Sequence, residues 1–435
     1  MKNNKSTRRG FLKKSVFAGA AVTAAGLSVA QFAHAQGNSV IKIGLIGCGG
    51  RGTGAVREAL QTGKDVNIVA VGDYFKSQAE KAAEGFQKKF PDQYKITKDQ
   101  IFDGFDNYKG VIASDADVIL IACAAKFHPL YSKLALEAGK HVFTEKPNAI
   151  DASGIHVLEE AVAIAKRKNL SFLAGLQSRF CPQNQALVEQ IHNGVIGDVK
   201  MIQSTFLRVP YGVRGIPEGM SELDVQVRNQ YKFRWLAGDD FTQSLVHNVD
   251  RMTWVLGGKI PTSAFGMGGR ASMLERKFGD TFDHHATTFI YPNEECRLFA
   301  FCRTATGCYN SYDDLIVGTK GVAYWNDSRI VGEKNWQFNG RKLGGHAEEQ
   351  AALFKALREG KRLESDAFVV NSSLMAILGQ VASYTGKLIT WKELYDSNFV
   401  FKPTPEECVA GMEPPVKPDA NGLYPVPIPG QTKWW

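Results

Sequence analysis

Val40-Ile41-Lys42-Ile43-Gly44-Leu45-Ile46-Gly47-Cys48-Gly49-Gly50-Arg51-Gly52 decides the fold. A short apolar run of strand length ends in G-x-G-x-x-G, and helical spacing resumes from Ala55 to Leu60. Between a strand and a helix each glycine of that triplet has a mechanical use. Gly47 permits the tight turn, Gly49 lets the backbone approach a diphosphate, and Gly52 lets helix and strand pack closely over the helix N-terminus. With Gly50 and Arg51 these are the candidate cofactor-contacting residues of the loop. A second apolar run, Val66 to Gly72, ends at Asp73, 26 residues after Gly47. At about that spacing a carboxylate takes the adenosine ribose 2′-hydroxyl and repels a 2′-phosphate, so NAD is favoured over NADP.

The same alternation continues outward. Asp117 to Ala122 reads as a buried strand, His128 to Ala138 as a helix, and His141 to Thr144 as a strand opening into Glu145-Lys146-Pro147. Asp151 caps a helix with Ile155, Leu158, Val162 and Ala165 on one face, and Leu170 to Leu176 is a further strand. Repeated strand-helix units imply an α/β fold with a parallel Rossmann sheet that binds ligands at the carboxyl ends of its strands. From Val199 the period changes to two, over 199–207, 263–269, 286–291 and 297–303, which reads as an antiparallel sheet. The division is therefore a nucleotide domain over 36–176, an α+β domain over 177–400 and a Pro-rich arm over 401–435. Residues 210–235, Gly-rich and charged, read as a loop over the cleft, with Trp235 in core packing.

The chain has 435 residues, 44% hydrophobic and 22% charged, which excludes a disordered or disulfide-scaffold protein. Six of its eight net positive charges fall in residues 1–35, so the remainder is nearly neutral and offers no surface for nucleic acid. Those 35 residues run from Arg8-Arg9-Gly10-Phe11-Leu12-Lys13 through an Ala/Gly-rich apolar stretch to Ala33-His34-Ala35. They read as a removable twin-arginine signal that exports the folded protein to the periplasm, too weakly apolar for a membrane anchor. Seven scattered cysteines without metal-type spacing read as core thiols, a Cys302–Cys308 bridge staying open. No metal site is expected.

Gly47 to Gly52, Glu145-Lys146-Pro147 and the helix Gln243-Ser244-Leu245-Val246-His247-Asn248-Val249-Asp250 stand in the order that resembles the glucose-fructose oxidoreductase, inositol dehydrogenase and MocA (Gfo/Idh/MocA) family. The resemblance implies an NAD(P)-dependent oxidoreductase acting on sugars or cyclitols, an open second sheet that builds a dimer or tetramer, and C-terminal helices returning to the nucleotide domain. It implies Lys146 and His247 as the catalytic pair. Oxidising a secondary alcohol needs a base for the hydroxyl proton and a donor that holds the oxygen, and imidazole and ammonium groups supply both. Glu145 and His128 fall where the family approaches the cofactor. Many relatives carry Asp where Gln243 stands; Gln243 can hydrogen-bond substrate but cannot act as a base. Arg179, Asp250 and His285 complete the candidate substrate contacts, Asp250 also being placed to orient the imidazole. Two other readings stay open: an NAD-dependent glycosidase working by transient C3 oxidation, with a second base from residues 285–312, and a non-catalytic sugar or NAD sensor.

The arm carries Tyr424, Val426, Ile428 and two terminal tryptophans, costly to leave in water, so it is expected to pack on its own body or on a neighbouring subunit.

Overall fold

The computed structural model describes residues 40–434; the leader expected at 1–35 lies outside them. Six strands, β1 (Ile41–Ile46), β2 (Val66–Asp73), β3 (Ile101–Asp103), β4 (Val118–Ile121), β5 (His141–Thr144) and β6 (Phe172–Ala174), form one sheet in the order β3-β2-β1-β4-β5-β6. All its pairs are parallel. β4 is buried along its whole length and β1 nearly so, which is why these strands read as continuous apolar runs instead of alternating. Helices α1 (Gly50–Leu60), α2 (Lys76–Lys89), α3 (Asn107–Ala113), α4 (His128–Glu137) and α5 (Ala152–Lys168) make the crossovers. The strand order reverses between β1 and β4, and the crevice opens there at the carboxyl ends. β3, only three residues long, left no pattern in the sequence.

The second unit begins with α6 (Pro182–His192) and β7 (Val199–Arg208). The segment read as a loop over the cleft contains α7 (Glu222–Arg228), a single turn at Gln230–Lys232 and α8 (Arg234–Ala237). After α9 (Val246–Val255) come β8 (Ser263–Gly269), β9 (His284–Ile290), β10 (Arg297–Thr304), β11 (Ser311–Gly318), β12 (Gly321–Tyr324), β13 (Arg329–Gly332) and β14 (Trp336–Gln337). Then follow α10 (Gly345–Arg358), α11 (Val369–Thr385), β15 (Ile389–Thr390) and α12 (Trp391–Tyr395). The sheet runs β14-β13-β12-β11-β7-β10-β9-β8-β15, antiparallel except where β7 meets β10. α11, buried over nearly all its length, covers one face against β8 and β9.

α10 returns to the nucleotide domain. Leu353, Phe354 and Leu357 share a core with Val56, Ala59 and Leu60 of α1, and Arg358 Nε meets Asp65 Oδ2 at 2.7 Å. The arm lies on its own body. Lys126 Nζ donates to Phe401 O at 2.6 Å and Gln226 Nε2 to Val416 O at 2.7 Å, while Trp434 packs against Tyr384 and Phe399 at 5.0 and 5.2 Å between ring centres. All seven cysteines are free; Cys302 is buried with its Sγ facing Asp240 Oδ2 at 3.1 Å.

Candidate active site

The glycine turn is shaped by backbone contact. Gly47 has φ +96°, and a Cβ there would lie 2.4 Å from Cys123 N; a Cβ on Gly52 would lie 1.9 Å from Gly47 O. Gly49 differs: a Cβ there would meet nothing within 4 Å, so its space is left open beside the α1 N-terminus. At the end of β2, Asp73 accepts from Cys48 N at 2.7 Å and Phe75 N at 3.0 Å. Burial pushes its carboxyl above the ordinary range, opposed by those two N–H groups and by Arg214. An open diphosphate-sized approach, a helix N-terminus and a carboxylate at the ribose position fit a dinucleotide. Gly47, Gly49 and Asp73 form one side of a cleft of about 280 Å³, and Tyr211, Arg214 and Tyr231 the other.

A second cleft of about 270 Å³ adjoins it, sharing Ala122, Cys123, Tyr211 and Tyr231. Its walls bring together Lys146, His247, His128 and Gln243. Lys146 stands after β5, followed by a cis peptide to Pro147. His247 stands in the first turn of α9, just after a π-helical turn at Phe241–Leu245, the kind of widened turn that often marks a functional site. Lys146 Nζ donates to the main-chain carbonyl of Gln243 at 2.6 Å, so residue 243 serves through its backbone. The Gln243 side chain donates to Ala237 O at 3.1 Å. His247 Nδ1 is buried without a hydrogen-bond partner. Burial, with Lys146, Arg251 and His346 adding repulsion, holds the imidazole well below its ordinary pKa. It is therefore neutral near pH 7 and able to accept a proton.

His128 lines this cleft with Nδ1 2.8 Å from Pro147 O and Nε2 3.1 Å from Cys123 O, and the neutral ring donates to one of these two carbonyls. Burial lowers it to about 4, so it is a neutral brace for the Lys146–Pro147 turn. Arg51 and Glu145, both expected at the cofactor, face each other across the cleft floor with Nε and Oε1 2.8 Å apart.

Three expectations are corrected. Asp250 does not orient His247, and neither it nor Arg179 is free for substrate. Arg179 Nε lies 3.0 Å from both Asp250 oxygens, and Ser372 Oγ donates to Oδ1 at 2.8 Å. A carboxylate this buried needs its cation, and the guanidinium is closed in by Phe368 at 3.8 Å. His285 does not reach the cleft; it lies in the interior, Nδ1 on Ser383 Oγ at 2.8 Å and Nε2 3.3 Å from Asp239. The tyrosines of 285–312 are likewise absent from the cleft walls among the described residues. Trp235 donates to Gln226 Oε1 at 2.8 Å in the core, as read.

Sequence reasoning missed Tyr211, Tyr231 and His346. The two tyrosines stack at 4.6 Å, and Arg208 lies 3.6 Å over Tyr211. Their only signal was membership of the segment placed over the cleft. His346 opens α10, and nothing in its neighbourhood along the chain marks it.

Residues 41–176 match the model of an oxidoreductase family with an NAD-binding Rossmann fold. The nucleotide domain thus matches the Gfo/Idh/MocA oxidoreductase family. It is 28% identical over 207 residues to inositol 2-dehydrogenase of Burkholderia vietnamiensis, covering 47% of this chain and 57% of that protein. Inositol 2-dehydrogenase 4 of Saccharopolyspora erythraea is 27% identical over 206 residues, covering 47% and 56%. The match thus spans little more than half the length of these relatives. Among solved structures, scyllo-inositol dehydrogenase from Lactobacillus casei with bound NAD(H) and scyllo-inositol superposes with TM-score 0.61 at 19% identity, over 81% of this chain and all of that one. A levoglucosan dehydrogenase complex with NADH gives 0.62 at 18% identity, over 81% and 99%. At such identities these structures establish the fold of both units.

Proposed function

We propose that this protein is an NAD-dependent oxidoreductase that interconverts a ring hydroxyl and a ketone on a sugar, glycoside or cyclitol. One observation carries the reading: Lys146 and His247, remote in the chain, stand in one cleft that continues the glycine-turn cleft. NAD, when bound, supplies the hydride acceptor. Lys146 holds the substrate oxygen as charge develops on it, and neutral His247 takes the hydroxyl proton. His128 fixes the turn that carries Lys146, and the stacked Tyr211 and Tyr231 exclude water above. The inositol dehydrogenases among the relatives support a ring polyol as the substrate class.

The same reading includes a retained cofactor. Tyr74 Oη donates to Asp224 Oδ1 at 2.7 Å and ties the end of β2 to α7, so the segment over the cleft is fastened to the domain beneath it. Retention suits an exported protein, and the twin-arginine leader is part of this proposal. Changing Arg8 and Arg9 together to lysine should hold the protein in the cytoplasmic fraction; unchanged periplasmic recovery would remove the export reading. The uncovered face of the second sheet places Phe265, Phe299 and Leu315 in one register row, with Met267 71% exposed beside them. This face suits a homo-oligomer, which light scattering of wild type and Met267→Lys would test.

The deciding assay incubates purified protein, NAD and a panel of inositols, sugars and nitrophenyl glycosides. A ketone product with stoichiometric reduced nicotinamide supports the proposal. Aglycone release over many turnovers without net NAD reduction would replace it with the glycosidase, and bound NAD with no transfer to any polyol would leave a sensor.

A further inference from the structure

In and behind the cleft wall lies a group of side chains that Lys146 and His247 do not use. Glu349, on α10, is wholly buried, and its Oε2 has no hydrogen-bond partner. Glu145 Oε1 is also buried without one, because Arg51 meets it as an ion pair off the hydrogen-bonding direction. Polar atoms of Glu145, Glu349 and His346 lie within 4.8 Å of one another. His346 Nδ1 is 3.3 Å from Glu349 Oε1, and the ring, 40% exposed, lines the cleft. The start of α10 is fixed in place: a Cβ on Gly345 would lie 2.0 Å from Gln177 O, so only glycine lets the helix approach so closely.

The charges do not balance as carboxylates. Glu145, Glu349 and Glu58 surround one guanidinium, that of Arg51, and Lys146 adds a second positive charge that favours the ionised form of Glu145, whereas Arg51 alone does so for Glu349. In a low-dielectric interior two such buried carboxyls do not both ionise. Burial, and then Glu145, push Glu349 well above the ordinary carboxyl range. A proton on Glu349 removes the second buried charge and supplies the donor that the two orphaned oxygens lack. Glu349 Oε1 then accepts from His346 Nδ1–H, which leaves Nε2 of that ring as an acceptor.

We propose that His346 is the proton exit of the cleft, held in its accepting tautomer by a neutral Glu349 that bridges to Glu145. The inference rests on the oxidoreductase reading above. The substrate O–H bond breaks and an N–H bond forms on His247; the proton then passes through water to His346 Nε2 and leaves from the exposed ring edge to solvent. NAD remains the oxidant, so the relay moves a proton and no electrons. The groups facing His346 are Arg51 and Glu58 from α1, Glu145 and Lys146 after β5, His247 from α9 and Glu349 on its own helix. Burial, Arg51 and Lys146 hold its pKa below the ordinary value, against Glu58, so it releases a proton instead of keeping it. His346 and Glu349 are relay and positioning residues; neither needs to touch substrate.

The test has one part without turnover and one with it. Nitrogen-15 histidine spectra, assigned with His346→Asn, should show the Nδ1–H tautomer of His346 at neutral pH in wild type and in Glu349→Gln, which keeps the acceptor, and not in Glu349→Leu. Infrared spectra should show a protonated carboxyl at neutral pH that disappears in Glu349→Gln. With scyllo-inositol, or whichever panel polyol is oxidised fastest, in dilute buffer, His346→Asn should lower kcat about tenfold with KM unchanged, flatten the pH profile and be rescued by added imidazole. An ionised Glu349, the other tautomer, or an unchanged kcat would overturn the proposal. So would activity lost to EDTA and restored by a divalent cation, which would make these three side chains a metal site. If no polyol is oxidised, the oxidoreductase reading fails, and the two spectra still decide how Glu349 and His346 are held.

Discussion

The glycine turn of residues 47–52 and the helical stretch of residues 241–250 both carry family motifs, yet only the first behaves as its pattern says. In the turn the constraints are local: backbone meets backbone at Gly47 and Gly52, and the space over Gly49 follows. In the second stretch the residues act through distant partners. A π-helical turn precedes His247, Gln243 contributes its carbonyl to Lys146, Asn248 donates to Asp314 Oδ1 at 2.9 Å, and Asp250 is taken by Arg179. A motif made of backbone geometry transfers from sequence to structure. A motif made of side chains transfers only as far as its tertiary partners do.

Substitutions can break or sharpen that contrast. The largest effect is expected of Gly52→Ala, whose Cβ would lie 1.9 Å from Gly47 O; the turn cannot yield without moving β1 from α1, and folded protein should not accumulate. Asp250→Ala comes next. It strands the Arg179 guanidinium in the interior and should cost about 3–5 kcal/mol in denaturant unfolding, with KM of the folded fraction unchanged. Activity lost at full stability would return Asp250 to the chemistry.

His128 gives a pH-dependent test of comparable size. Its pKa falls from the ordinary 6.5 to about 4 in the folded chain, so the unfolded chain takes up the proton first. The stabilisation is complete above pH 6.5 and is lost as pH falls toward 4, about 3 kcal/mol in all. His128→Gln, which keeps a donor for Pro147 O, should flatten this part of the acid limb in thermal melts; an unchanged limb would mean that the ring is not held neutral. Gly49→Ala should have the smallest effect. Melting temperature stays at the wild-type value while dinucleotide affinity falls about tenfold, near 1.4 kcal/mol, by calorimetry. Undiminished affinity would move the diphosphate away from this turn.

The parallel sheet was legible because strands buried on both faces leave long apolar runs, and the four strands read from period two in the second sheet are present. β3 was too short to leave a pattern, and β11 to β14 mix Asp, Gly and Trp in a way that hides the alternation. At the site, Lys146 and His247 were legible from motif order, and Asp73 from spacing. His285 was misread because alternation along β9 gives the face of a residue and not what covers that face; here α11 covers it. His346 was invisible because it reaches the cleft only through the return of α10 to the nucleotide domain, held by Leu353, Phe354 and Arg358. The arm was read correctly as packed because aromatic residues outweigh its proline-rich character.

The central claim, that Lys146 and His247 act together on a substrate beside bound NAD, is tested most directly by single-turnover mixing of NAD-loaded protein with the best polyol of the panel, following reduced-nicotinamide absorbance in wild type, Lys146→Ala and His247→Asn. Each variant should retain NAD and the wild-type melting temperature while the rate of absorbance rise falls by about 10²-fold or more. Wild-type rates in either variant would contradict the account.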